Sequence, residues 1–513
     1  MTKSLDLMDI QGNVIRAYGR FNFPLARYVF LRIHNGKKGR AFVAAVTQQV
    51  TTSAHWAADP DNLSPDTVKK PEVATNIAFT YEGLKALELP RASLVGFSPE
   101  FMEGMKARKD IIGDDGPSAP NHWDPVWHGK QVHMFISLNA QTPEFLEAKY
   151  EWLLKLIEDS GDGVSLLSGH SGKDGVHDLP YQSANTLRDK VTSEYTNKEH
   201  FGYTDGIGDP VFEGLPHDPK KAPLSVNGRG KQTVDGWAPL ATGEFILGHI
   251  DEAKDYPAAP NPILLSRNGS YMVYRKLHQN VGSFNSFLEK EGKIYPGGKE
   301  LLAAKFVGRW RDNGAPLSKA PDAKSKLDWD ERFGKTSSKA AKDDMLSNFT
   351  YDDDMSGAKC PFSSHLRRIN PRASMELTKG AFDTPSALAN RRRILRRGLP
   401  YGESNEQSND KGEHGVIMMI INADINRQFE FVQQQWINYG NDFSAGNDKE
   451  IILGNHNKVN PSKAVIQVDP ASAQPPYFVQ NIPRLVETRG GDYFFVPSLT
   501  ALRLISKGLV DPT

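Results

Sequence analysis

One order of elements recurs along this chain and limits the folds open to it: a strand-like run followed closely by a run with helical spacing. Residues 27–33 (RYVFLRI) are aromatic and β-branched, as strands are, and 38–50 follow with helical periodicity. Residues 75–80 (TNIAFT) and 132–138 (VHMFISL) predict two more strands. A helix starts in 81–89, and an amphipathic one spans 143–157. The order returns later: 271–277 (YMVYRKL) predicts a strand, 281–293 a helix, 415–422 (GVIMMIIN) a buried strand and 493–497 (YFFVP) a short last one. Strand–helix units in two halves point to an α+β duplication, although no repeat of the residues themselves accompanies it. The polar stretches 214–236, 317–348 and 403–413 read as surface insertions.

At 513 residues the chain is longer than one ordinary domain of about 100–200 residues and can bury a core around a large cofactor. Lys plus Arg and Asp plus Glu both number 62, so no global charge draws it to nucleic acid or to an anionic membrane. A single cysteine, Cys360, excludes an intramolecular disulfide and any multi-cysteine zinc or iron–sulfur site. Asp6 and Asp9 interrupt the apolar run that a signal peptide needs, and the longest aliphatic run, 416–421, is too short to span a bilayer. The expectation is a cytoplasmic protein without membrane or nucleic-acid partners.

Three segments could carry chemistry. In 359–372 (KCPFSSHLRRINPR), Pro361 suits a helix start and Asn370–Pro371 an end, which puts His365 in the middle of a short helix. An imidazole held this way can ligate iron, and the arginines after it could meet carboxylates. Alone, such a histidine is more often an ordinary surface residue. The neighbouring Cys360–Pro361 pair offers a thiolate as a rival ligand, or simply a small buried side chain. In 201–210 (FGYTDGIGDP), three glycines and a proline make an irregular loop that presents Asp205, as a base or as part of a plain Asp-Gly turn. In 391–402 (RRRILRRGLPYG), a strand over 392–397 would put Arg392, Ile394 and Arg396 on one face. Such a run is usually a solvated face, and the interleaved aromatics of a nucleic-acid site are missing.

Together these segments resemble the dye-decolorizing peroxidase family. FGYTDG resembles its GxxDG signature, CPFSSHLRRINPR its proximal-histidine segment and RRGLPYG its distal-arginine segment. DIQGN (9–13), NIAFTYEGLKALEL (76–89), GEFILGHID (243–251), NGSYMVYRKL (268–277), AKFVGRW (304–310), NADINRQFEFVQQQW (422–436) and YFFVPS (493–498) follow the family in order.

The resemblance implies an α+β fold of two ferredoxin-like halves with antiparallel sheets and peripheral helices, over 1–210 and 211–513, with haem b mainly in the C-terminal half. It implies His365 as proximal iron ligand, Asp205 as distal acid–base and Arg396 as distal arginine. Arg372 and Ile207 become candidate cofactor contacts, Arg372 toward a propionate, and Cys360 is left to packing. Asp448 and Glu450 are both candidates for the acidic partner of His365. Gly208 and Asp209 depart from the Ser-Gln often found in the family. The implied activity is reduction of hydrogen peroxide through a ferryl haem, with oxidation of dyes, phenolics or other aromatic donors. Tyr401 is one of many aromatic residues that could relay electrons from large donors. The alternative is a haem-handling protein without peroxidase turnover.

Overall fold

A computed structural model describes residues 5–57, 68–129, 131–172, 176–215, 225–376, 385–403, 409–468 and 474–508. Its first half runs β1 (Leu25–Ile33), α1 (Gly36–Thr47), β2 (Val73–Phe79), β3 (Met134–Ala140), α2 (Pro143–Asp159) and β4 (Val164–Leu166), and β5 (Gln182–Asn185) joins the outer edge of β1 beside β4. The second half runs β6 (Ser270–Gln279), α3 (Val281–Ile294), β7 (Leu395–Tyr401), β8 (Gly415–Asn422), two π-helical segments (Ile425–Glu430 and Val432–Ile437) and β9 (Val486–Val496). Between α3 and β7 the chain inserts α4 (Gly298–Val307), α5 (Ala323–Lys335), α6 (Lys339–Ser347) and the short α7 (His365–Ile369). Helix α8 (Leu499–Lys507) ends the described chain.

Eight strands form the path β4-β1-β3-β2-β9-β6-β8-β7, with β5 as a ninth, and every pairing is antiparallel. Within each half the order is fourth, first, third, second. The duplication expected from the strand–helix pattern is therefore present in topology. The halves meet where β2 pairs β9 at Phe79 and Phe495. Strand β6 lies between β9 and β8 and is buried along nearly its whole length, so its polar residues are enclosed along with its apolar ones. Its two charges are paired: Arg275 with Asp114 at 2.6 Å and Lys276 with Asp124 at 2.7 Å.

One hydrophobic core spans the sheet across both halves, and a second lies under α3, α4 and α5, around Phe284, Phe306 and Trp329. The polar stretch 317–348 contributes to that second core, because α5 turns Trp329 inward behind a capping box at Asp322. The stretch 403–413 is pinned where Asp410 accepts the Ser283 N–H at 2.9 Å, so this part is not freely solvated; 404–408 lie outside the described residues, as do 216–224 of the 214–236 stretch. Among the described residues no helix is long and apolar enough to cross a membrane.

Candidate active site

His365 opens α7, and a buried polar frame fixes its position. Asp354 accepts the backbone N–H groups of Lys359 and Cys360 at 2.8 and 2.9 Å and the Arg367 guanidinium at 2.7 Å. That guanidinium lies 4.5 Å from the ring centroids of both Tyr351 and Phe362. Arg368 donates to the carbonyl oxygens of Phe362, Trp436, Tyr439 and Asp448. Buried charges are costly unless fully bonded, so this bonding ties both arginines, and with them the helix, to the surrounding chain. The picture differs from the sequence expectation in two ways. His365 is the first helical residue and not a middle one, with Pro361 ahead of the helix and Asn370 at its end. Arg367 and Arg368 brace the helix from within the protein and do not line a cofactor space.

His365 lines a cleft enclosing about 850 Å³, part of it open to solvent, together with Ile394, Arg396, Met418, Ile420 and Phe429. The buried Nδ1 of His365 lies 3.4 Å from Glu450 Oε1, in ion-pair range but not aligned as a hydrogen bond. The ring nitrogen left for the cleft is Nε2. Burial raises the Glu450 pKa, but His365 and the N–H groups of Ile452 and Leu453 outweigh it and hold the carboxyl below its ordinary value. Asp448 instead pairs with Lys463 at 2.9 Å. Of the two acidic candidates, Glu450 is the one beside the imidazole.

Strand β7 begins at Leu395, so Arg392 lies in the turn before it, over the Phe431 ring at 3.8 Å. Ile394 and Arg396 do share the cleft face, and Arg396 pairs in register with Ile420 of β8. Arg397 points the other way. It is buried, donating to the carbonyls of Asn13, Val14 and Ile15 and pairing with Asp209 at 3.2 Å.

Arg396 Nη1 donates to Asp205 Oδ1 at 2.7 Å. The Asp205 loop is held by the half-buried Glu199, which accepts the N–H groups of Phe201 and Tyr203 at 2.8 Å, and by the Asp205 N–H bond to Asn197 O at 2.7 Å. Gly206 adopts φ +82°, which favours glycine. Asp205 lines a second groove on the far side of Arg396; Arg396 and Met418 line both spaces and separate them. About half of the Asp205 side chain is exposed to that groove. Burial raises its pKa, but Arg396, the Gly206 N–H and Arg20 outweigh this and hold it below the ordinary carboxylate value.

The donor chemistry fits a porphyrin. The cleft lining has one imidazole and no thiolate, which suits an iron already held by four ring nitrogens. Cys360 is fully buried against Ser364, Tyr351 and the Gly308 backbone, and burial pushes its thiol up. Arg309 and Arg372 are buried with only carbonyl oxygens as acceptors, and no carboxylate pairs with either among the described residues. Unpaired buried cations of this kind suit an anionic cofactor. Arg372 nevertheless does not line the cleft: it lies over the Phe349 ring at 3.7 Å, bonded to the carbonyls of Ser347 and Phe349. Ile207 packs near Gly314, also outside the lining. Tyr401 is buried and is not a surface relay. Gln433, Asn455 and Arg484 do line the cleft. Sequence reasoning passed over them because they stand singly, in segments without a local signal.

The DyP dimeric alpha+beta barrel domain matches residues 9–171. Dye-decolorizing peroxidase msp1 of Mycetinis scorodonius is 25% identical, over 98% of this chain and 88% of that protein. Multifunctional dye peroxidase DyP2 of Amycolatopsis sp. is 32% identical over 60% of each. An ancestral D-type dye-decolorizing peroxidase structure is 26% identical and covers 98% of this chain and 99% of its own, with a TM-score of 0.72. A fungal DyP-type peroxidase structure from Auricularia auricula-judae gives 0.71 at 23% identity, over 98% of this chain and all of its own.

Proposed function

The chain belongs to the dye-decolorizing peroxidase family, and on that premise we propose that it is a haem peroxidase in which His365 holds the iron and Asp205 and Arg396 activate hydrogen peroxide. The observation that carries the reading is the Asp205–Arg396 pair at 2.7 Å, formed by an arginine on the wall of the cleft that His365 also lines. Arg396 lines both the His365 cleft and the groove that holds Asp205, and so lies between two groups distant in sequence.

Haem, when bound, supplies the ferric iron at which peroxide is cleaved and the oxidising equivalents that follow. His365 Nε2 would hold the iron, and the Glu450 carboxylate behind Nδ1 would make the imidazole a stronger donor. Ionised Asp205 would accept a proton from one oxygen of peroxide and return it to the other, the leaving oxygen. Asp205 lines the groove behind Arg396 and not the cleft itself, so the transfer would need a bridging water. Arg396, always cationic, stabilises the negative charge growing on the leaving oxygen. The electron donors are dyes, phenolics or other small aromatics, and the halves divide near residue 210, between β5 and β6.

The test is haem binding followed by rapid mixing with peroxide. Wild type should bind one haem and change its Soret spectrum within milliseconds to seconds of mixing. His365→Ala should lose most of the haem, while Cys360→Ala should keep it. Haem binding with no spectral change on peroxide would support the haem-handling alternative instead.

A further inference from the structure

Arg20 stands in the second groove and is not one of the groups assigned above. It comes from the 3-10 turn Tyr18–Phe21, far from the Asp205 loop in sequence. Three of its guanidinium atoms lie within 3.3 Å of where a Cβ on Gly206 would sit, so the guanidinium rests on the glycine that follows Asp205. Its Nη1 is 4.0 Å from Asp209 Oδ2. Asp209 also holds Arg397 at 3.2 Å and is only 15% exposed, so it anchors both arginines beside the loop. Arg20 itself keeps about a third of its side chain exposed to the groove.

We propose that Arg20 is a positioning residue for the peroxide step: facing Asp209 and resting on Gly206, it packs against the Asp205 loop and sets a second positive charge beside the Asp205–Arg396 pair. Only glycine at 206 leaves room for this contact. The proposal rests on the reading of Asp205 as the distal base.

Several charged groups face Asp205 or its pair with Arg396. Arg396 approaches from β7 and Arg20 from the 18–21 turn. Glu199 lies on the same loop and repels Asp205, and Arg309 from the end of α4 repels Arg396. Lys198 shares the groove lining. Arg20 is among the groups that favour the ionised carboxylate, so its removal should make Asp205 easier to protonate.

Fluoride binding to the ferric holoprotein measures this without turnover. Fluoride binds with a proton that comes to rest on the distal base. Its Kd should weaken tenfold per pH unit above the pKa of that base and level off below it. The pH of the break should move up by about half a unit or more in Arg20→Gln and return toward wild type in Arg20→Lys. Haem content and melting temperature are measured alongside, because a merely structural role would change those and leave the break in place. A break unmoved in Arg20→Gln but abolished in Asp205→Asn would overturn the role of Arg20 and keep Asp205 as the base. A break that survives in Asp205→Asn would remove Asp205 as the base, and the role of Arg20 with it.

Discussion

Asp205 and Arg396 are 191 positions apart in sequence and 2.7 Å apart in the fold. Arg397, the next residue, is turned to the other face of the strand and bonded to the N-terminal segment. Neighbouring arginines of one charge run therefore have separable tasks.

Arg396→Leu should keep haem and slow the peroxide-driven spectral change by about two orders of magnitude, as loss of a charge-stabilising donor does. Arg397→Leu should do the reverse. It leaves Asp209 and three carbonyl groups without their buried partner, and should lower stability by roughly 3 kcal/mol or more. Denaturant unfolding and stopped-flow mixing on both variants check the division. A large kinetic defect confined to Arg397→Leu would mean the wrong arginine had been assigned.

Glu450 lies beside His365 Nδ1 and its carboxyl is held below the ordinary value, so it should be anionic at neutral pH. An anionic partner makes the imidazole a better donor and favours ferric over ferrous iron. Glu450→Gln should therefore raise the haem reduction potential, by tens of millivolts as an order of magnitude. Asp448→Asn should leave it nearly unchanged, since Asp448 pairs with Lys463. Redox titration followed by visible absorbance distinguishes the two.

The Asp354–Arg367 pair is buried on both sides and braces the turn that leads into His365. Asp354→Ala should cost about 3–5 kcal/mol, the usual result of leaving a buried charge alone. It should also weaken haem retention, because the ligand helix loses its frame. Cys360→Ala should retain haem. Equal loss of haem in both would contradict the assignment of Cys360 to packing.

Much of this was legible in the sequence, for identifiable reasons. Strand β8 is a long apolar run, and such a run survives as a buried strand whatever surrounds it. His365, Asp205 and Arg396 each stood in a setting that was ambiguous alone, and only the family resemblance of the three segments together singled them out. The role of Arg367 and Arg368 was not legible, because a basic helix face looks the same whether solvent or backbone carbonyls receive it. The choice of Glu450 over Asp448 depends on which residue the chain turns inward after Gly440, and spacing alone does not decide that. Arg20 gave no signal at all, since its contacts with Gly206 and Asp209 exist only in three dimensions.

The pH dependence follows from the sign of the Asp205 shift. A base works while ionised, and Asp205 is held below its ordinary value of 3.8. Peroxide activation should therefore persist through the mildly acidic range and fall only as pH drops below about 3.9. A histidine base would fail already below about pH 6.5. Initial rates of the spectral change between neutral and acid pH, with haem content measured at each point, check this. A midpoint near pH 6 would exclude Asp205 as the group being titrated.

The most direct measurement of the central claim is the second-order rate constant for the peroxide-driven Soret change in Asp205→Asn at neutral pH, with haem occupancy matched to wild type. The amide keeps the size of the side chain and loses its ability to accept the proton. The rate should fall by at least about a hundredfold. Equal rates in the two proteins would contradict the account, and the base would have to be sought elsewhere.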